Sequence, residues 1–97
     1  MAFTVEEIND VWEKGNIVPA KDPEIWRQDA CGAWIHKPDY GNRKSKYGWK
    51  IDRISSAGPD DLFNLRPLQW ENHLSKSDGK LVCIITASGK INVDSKK

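Results

Sequence analysis

The 97-residue chain reads as a single α+β domain with an N-terminal helix, a small irregular sheet and a C-terminal β-hairpin. Three observations predict this class. The length is that of one domain, and a chain of this size buries roughly 60–70% of its unfolded surface, enough for one modest core. Apolar residues recur at helical spacing near the N-terminus, and from Ala30 onward the period shortens towards two. Gly, Pro, Asn and Asp then interrupt the later runs often enough to cut them into short strands.

Each element has its own local warrant. Thr4-Val5-Glu6-Glu7 is a capping-box pattern, in which the Thr hydroxyl and the Glu7 carboxylate satisfy orphan amides reciprocally. Val5, Ile8, Val11 and Trp12 follow at helical spacing, and Gly15 suits the left-handed position that ends a helix, which predicts a helix over 5–14. Residues 16–29 read as irregular, with a single turn expected at Asp22-Pro23-Glu24. Strands are expected over 30–35 and 47–54, separated by the turn-rich stretch Pro38-Asp39-Tyr40-Gly41-Asn42. In the second strand Tyr47, Trp49, Ile51 and Arg53 share one face, and Lys50, Asp52 and Ile54 the other. A loop over 55–61 leads to the apolar piece 62–68, which Pro67 restricts to an edge strand or no strand. Good helix formers over 69–76 stop at Ser77-Asp78-Gly79, and 81–86 with 90–93 reads as a hairpin turning at Ala87-Ser88-Gly89.

Composition excludes several classes. The chain is 38% hydrophobic and 30% charged, which is neither disordered nor fibrous, and no stretch approaches the ~20 apolar residues of a membrane span. Met1 to Glu6 lacks the basic start and apolar centre of a signal peptide, so a cytoplasmic location and no membrane association are expected. Cys31 and Cys83 lie far apart, outside any CxxC pair, and read as buried free thiols; a disulfide is the alternative. The five Trp residues read mainly as core, with Trp12, Trp34 and Trp70 expected in the core or partly in it.

The formal net charge of +1 conceals a division. Residues 1–29 hold seven acids and three bases, whereas residues 36–53 hold six bases and two acids. The basic segment carries Arg43, Lys44, Lys46, Lys50 and Arg53 together with Tyr40, Tyr47 and Trp49. Such a stretch suits a phosphate backbone, with aromatics available for packing or stacking. The alternative for residues 42–46 is a solvated charged loop.

Between Trp49 and Lys76 the expected order is strand, loop, short strand and helix. A strand and a helix packed side by side can bring one ligand from each to a common divalent metal, here Asp52 and His73. The donor pair suits Mg, Mn, Ni or Zn without selecting one. The competing reading pairs Asp52 with a nearby Lys and leaves His73 as an exposed helix residue.

The blocks Trp49-Lys50-Ile51-Asp52-Arg53-Ile54, Asp60-Asp61-Leu62-Phe63-Asn64-Leu65-Arg66-Pro67-Leu68 and Asn72-His73-Leu74-Ser75-Lys76 resemble, in order and spacing, the three motifs of the HNH (ββα-metal) endonuclease family. The likeness spans about residues 47–78. It implies a small HNH-like domain in which Asp52 and His73 hold one divalent cation. Asn64 would fix the loop and help to orient the catalytic group, and Lys76 would lie near the phosphate backbone. It also implies nucleic acid as partner, DNA before RNA.

One position departs from the family. The general-base His that should follow Asp52 is Arg53, whose guanidinium has a pKa above ~12 and no lone pair to give. Ser55-Ser56 stands where the family often has Pro, and Ala57-Gly58-Pro59 replaces its usual Gly pair. General-base action is worth about 10²–10⁴ in rate, so the resemblance implies binding with impaired or lost phosphodiester cleavage. An active metal-dependent nuclease using another base, His36 being the candidate, is the second reading. The third is a protein-interaction or inhibitor module that presents the acidic N-terminal helix to a partner.

Overall fold

The capping box forms. The Thr4 hydroxyl accepts the Glu7 amide at 3.1 Å and the Glu7 carboxylate accepts the Thr4 amide at 2.8 Å, opening α1 (Val5–Trp12). The computed structural model describes residues 3–95, so Met1 and Ala2 of the N-terminal reading lie outside the described residues. Val11 and Trp12 are buried with Ile8 packed beside them, whereas Val5 stays exposed. The helix stops short of residue 14, and Gly15 is not the left-handed residue expected there. Its value is close approach: a Cβ at Gly15 would sit 3.2 Å from two carbons of Arg27. The Arg27 guanidinium donates to the Glu13 and Gly15 carbonyls.

Three antiparallel strand pairs follow. The first joins β1 (Trp26–Gln28) to β2 (Trp34–His36). This corrects the sequence reading twice, since β1 falls in the stretch read as irregular and the second strand begins at Trp34 rather than Ala30. Residues between them turn around Asp29, whose Oδ1 accepts the Cys31 and Ala33 amides. The turn expected at Asp22 does form, and its carboxylate accepts the Glu24 amide at 2.9 Å.

The second pair joins β3 (Trp49–Arg53) to β4 (Leu65–Gln69), with α2 (Trp70–Leu74) directly after β4. Pro67 fits because both strands of a two-stranded sheet are edges. Register sets Asp52 opposite Arg66 and Ile51 opposite Pro67. The last pair, β5 (Ile85–Ser88) with β6 (Ile91–Asp94), is the expected hairpin, turning at Gly89 with φ +62°.

The core gathers Val11 and Trp12 of α1, Ile35 of β2, Trp49 and Ile51 of β3, and Leu65 of β4. Trp12 and Trp49 meet at 5.3 Å between ring centroids. Trp34 is buried and Trp70, the first residue of α2, is half-buried, which agrees with the core or partial-core reading of both. No helix among the described residues is long and apolar enough to cross a membrane.

Cys31 and Cys83 are not free thiols. They form a disulfide that ties the Asp29 turn to the segment entering β5. Closing a loop across a sequence separation of 52 removes chain entropy from the unfolded state worth about 4 kcal/mol.

Candidate functional site

The strand–loop–strand–helix order places Asp52, Arg53, His73 and Lys76, from three segments, around one cavity of about 400 Å³. Asp52 and Arg53 come from the end of β3, His73 from α2, and Lys76 from the turn after it; Phe3, Ile51, Ser56, Asp60 and Gly79 complete the wall. All four were singled out from the sequence, and the fold brings them together.

Asp52 is 2% exposed, although period-two alternation sets it opposite the core-facing Ile51. Its burial is made tolerable by cations. Arg66 Nε donates to Oδ2 at 2.8 Å from the facing strand, and Lys76 Nζ donates to Oδ1 at 2.8 Å. Lys76 also donates to the Arg53 carbonyl at 2.9 Å, which fixes the end of β3 to the turn beyond α2. His73 Nε2 lies 3.9 Å from Asp52 Oδ1. Burial lowers the His73 pKa below its ordinary value, Lys76 and Lys50 act the same way, and Asp52 opposes them. The imidazole is therefore neutral at physiological pH.

Arg53 turns back on the loop. Its Nε donates to Asp60 at 2.7 Å and one terminal nitrogen donates to the Ser56 carbonyl at 3.4 Å. Asn64 holds the same loop from the other end. Its Oδ1 accepts the Ser55 amide, and its Nδ2 donates to the Ser55 and Pro59 carbonyls. A Cβ on Gly58 would lie 2.7 Å from that Nδ2, so the loop closes around Asn64 only because residue 58 has no side chain. Asn64 thus fixes the loop, with its side-chain amide spent on backbone.

A helix of five residues has no stability of its own, since isolated helices shorter than ~12 residues are marginal. Its position comes from below. The Gln69 side chain accepts the Glu71 and Asn72 amides. Buried Asn72 donates to Asp29 Oδ2 and the Ile85 carbonyl, and accepts the Ile84 and Ile85 amides. His73 is thereby presented to the cavity by a polar network anchored on the disulfide-linked turn.

Of the other basic residues expected at a phosphate surface, Lys50 and Arg43 line an adjoining cavity of about 200 Å³ that shares His73 with the first. Lys46 pairs with Glu71 at 3.6 Å. Lys44 is exposed and lines neither cavity, its amide donating to Asn42. His36 lies on β2, bonded to Asp39 at 3.1 Å and packed on Trp26, and it does not line the Asp52 cavity.

Sequence reasoning missed Arg66, Asp60 and Trp70. Arg66 is identifiable only through the register that sets it across from Asp52. Asp60 is visible as an acid in the loop, but nothing in its spacing names Arg53 as partner.

The donor set bears on a metal. Asp52 Oδ1 and His73 Nε2 are close enough for one ion to reach both at the ~2.0–2.2 Å of metal–ligand bonds. Yet the same carboxylate already neutralises a guanidinium and an ammonium, and no group of three or more His, Cys, Asp or Glu among the described residues is placed to hold an ion. As arranged, the residues fit an ion-pair cluster better than a metal centre; a cation would have to displace Lys76.

No family model matches the chain, and no curated protein or solved structure matches it.

Proposed function

We propose that this chain is a nucleic-acid-binding domain of the HNH (ββα-metal) type in which ion pairing has taken the place of metal-assisted cleavage. The observation that carries the reading is the cavity itself: Asp52, Arg53, His73 and Lys76 converge on it in strand–loop–strand–helix order. Asp52 is saturated by Arg66 and Lys76, and a guanidinium stands at the base position. Lys50 and Arg43 continue the basic surface past His73. Such a surface takes phosphate oxygens through charge-assisted hydrogen bonds. Arg53, at the base position, has no lone pair with which to take a proton from water.

The test combines binding and cleavage. DNA binding weakens steeply with salt, and Arg43→Ala and Lys50→Ala each reduce the slope of log affinity against log salt by about 1. Supercoiled plasmid incubated with Mg, Mn or Ni is cut no faster than about 10²-fold below an Arg53→His variant that regains a base. Wild-type cleavage as fast as the variant's, abolished by Asp52→Ala, would establish an active metal-dependent nuclease instead.

A second reading has its own observation. Glu7 and Asp10 of α1 share a small cavity with the exposed Leu62, whose chain neighbour Phe63 is 75% exposed. An acidic surface with protruding apolar side chains suits a basic protein partner. Absence of DNA and RNA binding at low salt favours this module over the first reading. The disulfide also bears on location. Disulfides persist in oxidising compartments and are rare in reducing cytosol, so the Cys31–Cys83 bond supports an oxidising compartment over the cytoplasm.

A further inference from the structure

Trp70 differs from the tryptophans of the core. Trp12 and Trp49 are wholly buried and Trp34 nearly so, whereas Trp70 remains partly open. Its ring is nonetheless held in one orientation. The indole Nε1 donates to the Ser45 carbonyl at 2.8 Å, and the Trp70 amide donates to the Gly48 carbonyl at 3.0 Å. Gly48 makes room for it, since a Cβ there would lie 3.2 Å from Trp70 Cδ1 and 1.9 Å from the Asn42 carbonyl oxygen.

This fixed ring is one wall of the cavity of about 200 Å³ whose other walls are Arg43, Lys50, His73 and Leu74. Three properties define what the cavity takes. It is smaller than the roughly 300–1,000 Å³ of sites for drug-sized ligands, so it suits a flat fragment. Its lining contains cations, an imidazole and apolar surface but no carboxylate. The nearby Glu71 is already engaged by Lys46 and by the Gln69 side-chain amide. It also adjoins the Asp52 cavity at His73, and Arg43 lies over the Trp70 ring at 5.3 Å.

We infer that this cavity is a base-stacking site: it receives one unpaired nucleobase of a strand whose phosphates lie along Arg43, Lys50 and Lys76. Stacking on Trp70 needs only a π-face, so the site accepts any base. Arg43 shifts from the indole to a phosphate or covers the stacked base from its other side. Paired bases stack on their own neighbours and are not free to enter. The inference rests on the proposed phosphate-binding role and adds that the strand is single or locally opened.

The experiment compares two labelled single strands of equal length at low salt, one carrying thymine throughout and one with the bases replaced by abasic sites. Fluorescence anisotropy is expected to give roughly 5- to 150-fold tighter binding of the thymine strand, the range of one base–aromatic stack. Trp70→Leu is expected to abolish that difference, and a wild-type circular-dichroism spectrum under the assay conditions reports that the variant is folded. Equal affinity of the wild type for both strands overturns the base site and leaves the phosphate role standing. Failure of both strands to bind overturns the phosphate role and the base site with it.

Discussion

Two buried aspartates divide this molecule. Asp29 and Asp52 are 1% and 2% exposed, but they are solvated by different chemistry. Asp29 accepts four neutral N–H groups, from Cys31, Ala33, Gln69 and the Asn72 side chain. Asp52 is bound by two cations, with a neutral imidazole at 3.9 Å. Burial raises the Asp29 pKa despite its hydrogen bonds, and the carboxylate is a joint between the disulfide-linked turn, β4 and α2. Asp52 lines an open cavity whose cations have room to exchange partners. A buried carboxylate among neutral donors is architecture. One among cations, next to solvent, is a surface held ready for another anion.

The largest expected effect lies on the architectural side. Asp29→Ala orphans several buried donors at about 1–3 kcal/mol each, so unfolding in denaturant is expected to lose about 4 kcal/mol or more, and folding itself is at risk. Asp52→Asn is expected to cost less, about 2 kcal/mol against the roughly 3–5 kcal/mol of a fully enclosed pair, because Lys76 lines the cavity beside Asp52 and can hydrate there. The same variant separates the two roles of Asp52. As a neutraliser of cations its removal tightens DNA binding and steepens the salt slope by about 0.9 for each cation freed to meet a phosphate. Weaker DNA binding by Asp52→Asn, with loss of a metal-dependent gain, would mark Asp52 as a metal ligand. Equal destabilisation by the two substitutions would erase the contrast.

The two sides were unequally legible. Around Asp52 the local signals were strong: a strand-like run into Asp52, a polar loop closing at Asn64, Pro67 admitting only an edge, and a helix carrying His73. Each is read within a few residues of chain. What stayed hidden there was the register that pairs Asp52 with Arg66, which depends on how the loop folds around Asn64 and Gly58. The Asp29 side was nearly silent. Strand β1 has three residues, too few to show a period, and it exists because Asn16 and β2 bond to it from elsewhere in the chain. The Cys31–Cys83 bond spans 52 positions, and no motif marks the pairing. Partial burial of Trp70 follows from its aromatic volume, but the Ser45 carbonyl and the missing Cβ at Gly48 that hold its ring are set by distant chain and leave no local signal.

The smallest expected effect is a pH dependence confined to the Asp52 side. His73 has its pKa lowered by burial, with Lys76 and Lys50 adding to the shift and Asp52 opposing it. The folded state therefore prefers neutral imidazole, and the unfolded state binds the proton more readily. His73 thus contributes stability that is fully present above its ordinary value of 6.5 and is lost as pH falls through the lower folded value. Because the ring is one-third exposed, solvent screening keeps the change small. Denaturant midpoints measured from about pH 7 down to about pH 5 should fall in the wild type and fall less in His73→Gln. Burial sets the sign and the cations facing the ring add to it, so Lys76→Met, which removes one of them, should also shrink the slope. A midpoint that rises on acidification would mean that Asp52 outweighs the lysines and burial together. His73 would then join the ion-pair cluster as an imidazolium, and the cavity would present one more positive charge to a phosphate than the neutral ring does.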